Sequence, residues 1–168
     1  MSEFVNYHKR GIELPPGCKD LADVLRQRPG VTRGSKTLGR LSDVPRYVSM
    51  LVNSSSEQFT LMIGTADERL SIVLYRSESE GVSALVLVSS DAEREKGIRE
   101  FFQRHGIKTF KDYLLPGEDG AEARGLMYPL PAGASHASQI IADLLGSVYV
   151  FTEASHILFR YYEATNAA

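Results

Sequence analysis

The stretch QFTLMIGTADERLSIVLYRSESEGVSALVLVSSDAEREKGIREFFQRH, Gln58 to His105, decides how this chain is read. Phe59, Leu61 and Ile63 alternate with Thr60, Met62 and Gly64. Strand side chains repeat every two residues, so the first three share one face of a half-buried strand. A second apolar run, Leu70 to Tyr75, lies between two polar segments rich in turn-favouring residues, 65–69 and 77–81. Val82 to Val88 is almost wholly apolar, which predicts a strand covered on both faces or lying mid-sheet. Connections of about five residues suit antiparallel hairpins, because a parallel crossover needs about a dozen or more. Next comes Ser90 with Glu93 three residues on, the spacing of a capping box. Ile98, Phe101, Phe102 and His105 follow at i, i+3, i+4 and i+7, and Gly106 is placed to end the helix. The charged residues of 91–100 fall mostly off that stripe and read as a solvated face.

Upstream, Asp43 is placed to cap a helix with Pro45 in its tolerant first turn, and Val44, Tyr47, Val48, Leu51 and Val52 form its apolar stripe. Downstream, Ile107 to Leu115 and Ala123 to Leu130 read as two strands around the turn Pro116-Gly117-Glu118-Asp119-Gly120. Pro129 and Pro131 confine the second strand to an edge or end it. Ala137, Ile140, Ile141, Leu144, Leu145 and Val148 then repeat at helical spacing, and Ile157 to Tyr162 gives a last apolar strand. The expected fold is α+β: one antiparallel sheet of five or six strands packed with three helices, in the order α-β-β-β-α-β-β-α-β. That domain is expected over 41–163, with an N-terminal extension over 1–40 and a disordered tail over 164–168. Within the extension, 2–13 reads as a weak arm or edge strand, and Asp20 to Arg28 as a short helix presenting Leu21, Val24 and Leu25.

The chain has 168 residues, 43% hydrophobic and 24% charged, the composition of one ordinary globular domain. No apolar run approaches the roughly 18 to 20 residues of a membrane helix, and residues 1–10 contain no signal-peptide core, so a cytoplasmic protein is expected. A single cysteine, Cys18, fits a reducing compartment. The net charge of −2 conceals an asymmetry: residues 1–46 carry nine Lys/Arg against five Asp/Glu, and the remainder ten against sixteen. A basic front can meet phosphate or an acidic partner, or neutralise the acidic remainder of its own fold.

Gly30-Val31-Thr32-Arg33-Gly34-Ser35-Lys36-Thr37 resembles a phosphate loop at first sight, but Ser35 stands where the pattern requires glycine directly before lysine. It reads instead as a mobile basic loop in which Arg33, Lys36 and Arg40 are the candidate anion-binding residues. Histidines 8, 105, 136 and 156 have no metal-ligand spacing, so no metal or cofactor is expected. Ser135 beside His136 lacks the geometry of a triad, because sequence neighbours rarely converge that way. Cys18 has no histidine within reach to act as its base and reads as an inert small apolar residue. Phe110-Lys111-Asp112-Tyr113 and Phe159-Arg160-Tyr161-Tyr162 could stack nucleic-acid bases, a use the acidic total charge disfavours.

The element order, with Met127-Tyr128-Pro129-Leu130-Pro131-Ala132-Gly133-Ala134 leading from a strand through prolines into the last helix, resembles the type III secretion chaperone-like superfamily, including its YbjN-like and TY-Chap groups. The resemblance covers 43–163. It implies a dimeric, non-enzymatic scaffold holding an extended segment of another protein on apolar surface patches. The partner expected is therefore another protein or a second copy. The alternatives are a small-molecule or phosphate-binding regulatory module built on 30–40, and an enzyme with Cys18 near its site.

Overall fold

The computed structural model describes residues 30–54, 58–67, 70–77, 81–89, 91–116 and 122–166. Seven strands make one antiparallel sheet: β1 (Gly30–Gly39), β2 (Gln58–Thr65), β3 (Ser71–Ser77), β4 (Gly81–Ser89), β5 (Lys111–Pro116), β6 (Glu122–Pro129) and β7 (Ile157–Asn166). Their order is β1-β7-β2-β3-β4-β6-β5. Three helices accompany them: α1 (Val44–Asn53), α2 (Ala92–Arg104) and α3 (Ala134–Ser147). The α+β class and the predicted element order are both present, with one strand added in front.

That added strand corrects the reading of 30–40 as a mobile loop. β1 pairs with β7 along its whole length, from Gly30 opposite Asn166 to Gly39 opposite Ile157. Three glycines and scattered polar residues give GVTRGSKTLG no clear alternation, so its pairing comes from β7 and not from its own pattern. The same pairing carries β7 to Asn166, into a tail expected to be disordered. The sheet thus has seven strands instead of five or six, and the stretch read as an extension contributes one of them. The predicted arm over 2–13, Cys18 and the helix over Asp20 to Arg28 lie outside the described residues.

All three helices pack on one face. Val44, Tyr47, Val48 and Leu51 of α1, Ile98, Phe101 and Phe102 of α2, and Ala137, Ile140, Ile141, Leu144 and Leu145 of α3 share one buried cluster with Phe59, Leu61, Ile63, Ile72, Leu74, Val86, Leu126 and Phe159 of the sheet. Register builds this layer: Ile63 lies opposite Ile72, Ile72 opposite Val86 and Val86 opposite Leu126. Tyr47 stacks on Phe159 at 4.3 Å and Phe102 on Tyr128 at 3.8 Å. Stacking of this kind adds about 0.5–1.5 kcal/mol per pair beyond burial.

The helix ends differ in detail from their expectation. At α2 the carboxylate of Asp91, one residue after Ser90, accepts from the Arg94 amide at 2.9 Å, and Ser90 itself lies outside the described residues. His105 is exposed at the helix end with its Nδ1 2.9 Å from the Phe101 carbonyl, so the buried stripe stops at Phe102. Gly106 has φ +69°, the left-handed conformation that terminates a helix. Asp43 makes no cap bond to α1; its carboxylate accepts from the Arg40 amide at 2.9 Å and closes the 3-10 turn Leu41–Asp43.

Candidate functional site

Alternation leaves a second face, turned away from the helices. One row of paired residues crosses all seven strands there: Lys36, Arg160, Met62, Val73, Leu85, Met127 and Lys111. Four apolar side chains thus lie between cations at both ends. Val73, Leu85 and Met127 form a buried cluster separate from the main core, with Met62, Tyr75, Leu87 and Tyr113 packed against it. No buried helix residue belongs to this cluster among the described residues. β4 therefore buries side chains on both faces, Val82, Ala84, Val86 and Val88 on one and Leu85 on the other, as its continuous apolar run predicted.

The face is uneven. Gly64, Ser71 and Gly125 are small, and the Tyr113 ring lies across Gly125, where an added Cβ would come within 2.6 Å of it. Thr60 lies between Tyr162 and Tyr75, while Leu158 lies between Leu38 and Gly64. The Lys, Arg, Asp and Glu side chains described on this face, Lys36, Lys111 and Arg160, are all cations, although the chain as a whole is acidic. An apolar centre flanked by positive charge suits an amphipathic segment bearing carboxylates. Among the described residues the sheet has two edges, β1 and β5, each paired on one side.

Of the three candidate anion-binding residues, Lys36 and Arg40 can be followed, and the Arg33 side chain lies outside what is described. Lys36 lies on β1 opposite Arg160 and has a polar, ionic or ring contact. Arg40 donates through Nη1 to the Ala154 carbonyl at 2.7 Å, fastening the end of β1 to the segment before β7. The second aromatic-basic run is also unavailable for base stacking in full, because Phe159 is wholly buried. His105, His136 and His156 are exposed and scattered, and among the described residues no group of three or more His, Cys, Asp or Glu could hold a metal ion. No helix is long and apolar enough to cross a membrane.

One polar constellation was not foreseen. Arg99 Nη2 lies 2.9 Å from Glu95 Oε1 and 2.8 Å from Asp112 Oδ2, while Arg124 reaches Asp112 Oδ1 at 2.6 Å and Glu95 Oε1 at 3.5 Å. The four side chains close a ring joining α2 to β5 and β6. Partial burial would raise the Asp112 carboxyl, but hydrogen bonds from Arg99 and Arg124 outweigh it and hold the group below its usual range. The Asp112 contact in turn raises the Arg99 guanidinium. Two cations and two anions cancel, which is the balance of a clamp. The i, i+4 spacing of Glu95 and Arg99 was visible in sequence, but their β-hairpin partners were not.

Two tyrosine hydroxyls, of Tyr128 and Tyr149, are buried with no hydrogen-bond partner among the described residues, and burial pushes both upward. Both rings belong to the main core, where their apolar bodies explain their presence. No protein-family model, curated protein or solved structure matches this chain.

Proposed function

We propose that this chain is a non-enzymatic protein-binding module that holds a segment of another protein across the helix-free face of its sheet, in the manner the type III secretion chaperone-like resemblance implies. The observation that carries this reading is the transverse row: Met62, Val73, Leu85 and Met127 between Arg160 and Lys36 at one end and Lys111 at the other. Its occupant is a polypeptide with apolar residues flanked by Asp or Glu. Apolar contact supplies the affinity, and the cations set orientation and speed of encounter. The phosphate-binding alternative has less support, because Arg40 is engaged with the Ala154 carbonyl.

Amine-directed cross-linking through Lys36 and Lys111, applied to the full chain in its source cell, tests the proposal. The cross-linked partner peptide is sequenced, synthesised and titrated against purified protein. The expected peptide carries carboxylates beside apolar residues and binds more weakly as salt rises. Met62→Lys, placing a charge in the middle of the row, weakens it about tenfold or more. Gln139→Ala on the exposed side of α3 leaves it unchanged. Equal binding to wild type and Met62→Lys, or recovery of a second copy of this chain alone, overturns the proposal.

A further inference from the structure

At one end of the sheet an open strand edge lies beneath a helix. β5 pairs with β6 from Lys111 to Pro116, and among the described residues no strand pairs its outer side. Backbone donors and acceptors along such an edge can pair with another chain, and native sheets usually cover it or guard it with charge. Here the guard is weak. Asp112 is held by Arg99 and Arg124, so its charge is already neutralised. Apolar side chains stand open beside it: Leu114 is 40% exposed, and Phe110, at the entry to the strand, is 42% exposed.

α2 forms a wall over this edge. Glu95 meets Arg124 and Phe102 stacks on Tyr128, so the helix runs along with β6 and against β5. A cleft of about 310 Å³ follows one flank of α2, lined by Ala92, Glu95, Lys96, Arg99, Glu100 and Gln103. Glu95 and Arg99 belong both to the cleft and to the ring with Asp112, which fixes the cleft beside β5. Alternation puts Leu114 on the same face as Asp112, toward that wall.

Charge gives the groove a direction. Arg104 in the last turn of α2 and Lys108 just after it are exposed and make no ion pair among the described residues. Lys111 opens β5, with its Nζ 5.9 Å from the centre of the Phe110 ring. Three cations thus gather where β5 begins. Every strand pair in the sheet is antiparallel, and a strand added to β5 in that sense brings its C-terminal end to these cations.

We infer that the groove between β5 and α2 takes up an extended segment of a partner protein as a further strand, antiparallel to β5, apolar at alternate positions and carrying carboxylates at its C-terminal end. Backbone pairing supplies affinity for any extended chain, Leu114 and Phe110 favour apolar residues, and Arg104, Lys108 and Lys111 favour the acidic end. The groove lies at the edge of the sheet and shares only Lys111 with the row on the helix-free face.

A display library of random peptides about eight residues long, one strand in length and with free C-termini, is selected against the full chain. The expected consensus alternates apolar and polar residues and ends in Asp or Glu. N-methylation of every second residue of the selected peptide abolishes binding in one phase and spares it in the other, because only alternate amides face β5. That readout leaves the protein unaltered. Leu114→Asp, and separately Arg104→Ala with Lys108→Ala, all at exposed positions, weaken binding about tenfold or more. Met62→Lys, in the helix-free row, leaves it unchanged, with folding of each variant checked by circular dichroism. Selection of no peptide, carboxylates gathered at the N-terminal end, or equal loss in both phases of N-methylation overturns the inference. Binding that folded Leu114→Asp keeps and folded Met62→Lys loses overturns it too, because the peptide then lies on the helix-free face. A dimer in sedimentation that excludes the peptide and that Leu114→Asp dissolves overturns it in favour of a second copy.

Discussion

Val150 is the described non-glycine residue with a positive φ, +59°, and it is 74% exposed. It stands just past α3, between Tyr149, which is buried in the core, and Phe151, which packs against it. The Phe151 amide donates to the Leu145 carbonyl at 3.0 Å, so this turn closes the helix while sending the valine side chain to solvent. For a β-branched residue the left-handed region costs about 1–2 kcal/mol, part of which a glycine returns as unfolded-state entropy. Val150→Gly is therefore expected to stabilise the protein by about 0.5–1 kcal/mol, seen as a higher urea midpoint at unchanged slope. A lower midpoint would show that the valine makes a contact worth more than its strain. The sequence offered no glycine or asparagine to mark this turn, which is why the end of α3 was legible only to within a few residues.

Between elements, α2 shows how much a helical pattern leaves open. Its apolar stripe was read directly from spacing, and Ile98, Phe101 and Phe102 are buried accordingly. The charges off that stripe were read as a solvated face, and Glu93, Lys96 and Glu100 are exposed. Glu95 and Arg99 are not simply solvated, because Asp112 and Arg124 on the hairpin complete a ring with them. Each member is about a third exposed, so solvent screening keeps its worth modest. Asp112→Asn is expected to cost about 0.5–1 kcal/mol at neutral pH, measured by urea unfolding. Because the folded carboxyl sits below its unfolded value near 4, its contribution is complete above that value. It fades as pH falls through the folded value. Wild type and Asp112→Asn should thus converge in stability on acidification, and a gap that persists at low pH would assign the loss to packing.

For the molecule as a whole, the last strand closes the fold. β7 lies between β1 and β2, and among the described residues it is the only strand paired with β1. A chain ending at Ser155 would lose β7, remove the described pairing of β1 and strip Phe159 from its stack on Tyr47. It is expected to lose its cooperative urea transition and to associate through the bared edge of β2, checked by circular dichroism and light scattering. A cooperative transition near the full-length midpoint would show that β1 and β7 are accessory to the core. The three helices, the β2-β3-β4 meander, the β5-β6 pair and the final strand were determined by the sequence itself. Periods of 2.0 and 3.6 record, residue by residue, which side chains leave water, and that requires only local spacing. Tertiary structure alone decided that 30–39 is a strand, that Lys36, Arg160 and Lys111 end one apolar row, and that Glu95 and Arg99 meet Asp112 and Arg124. Every backbone presents the same donors and acceptors, so a strand's partner is chosen by what the rest of the fold leaves unpaired. Side chains far apart in sequence become one surface only after that choice is made.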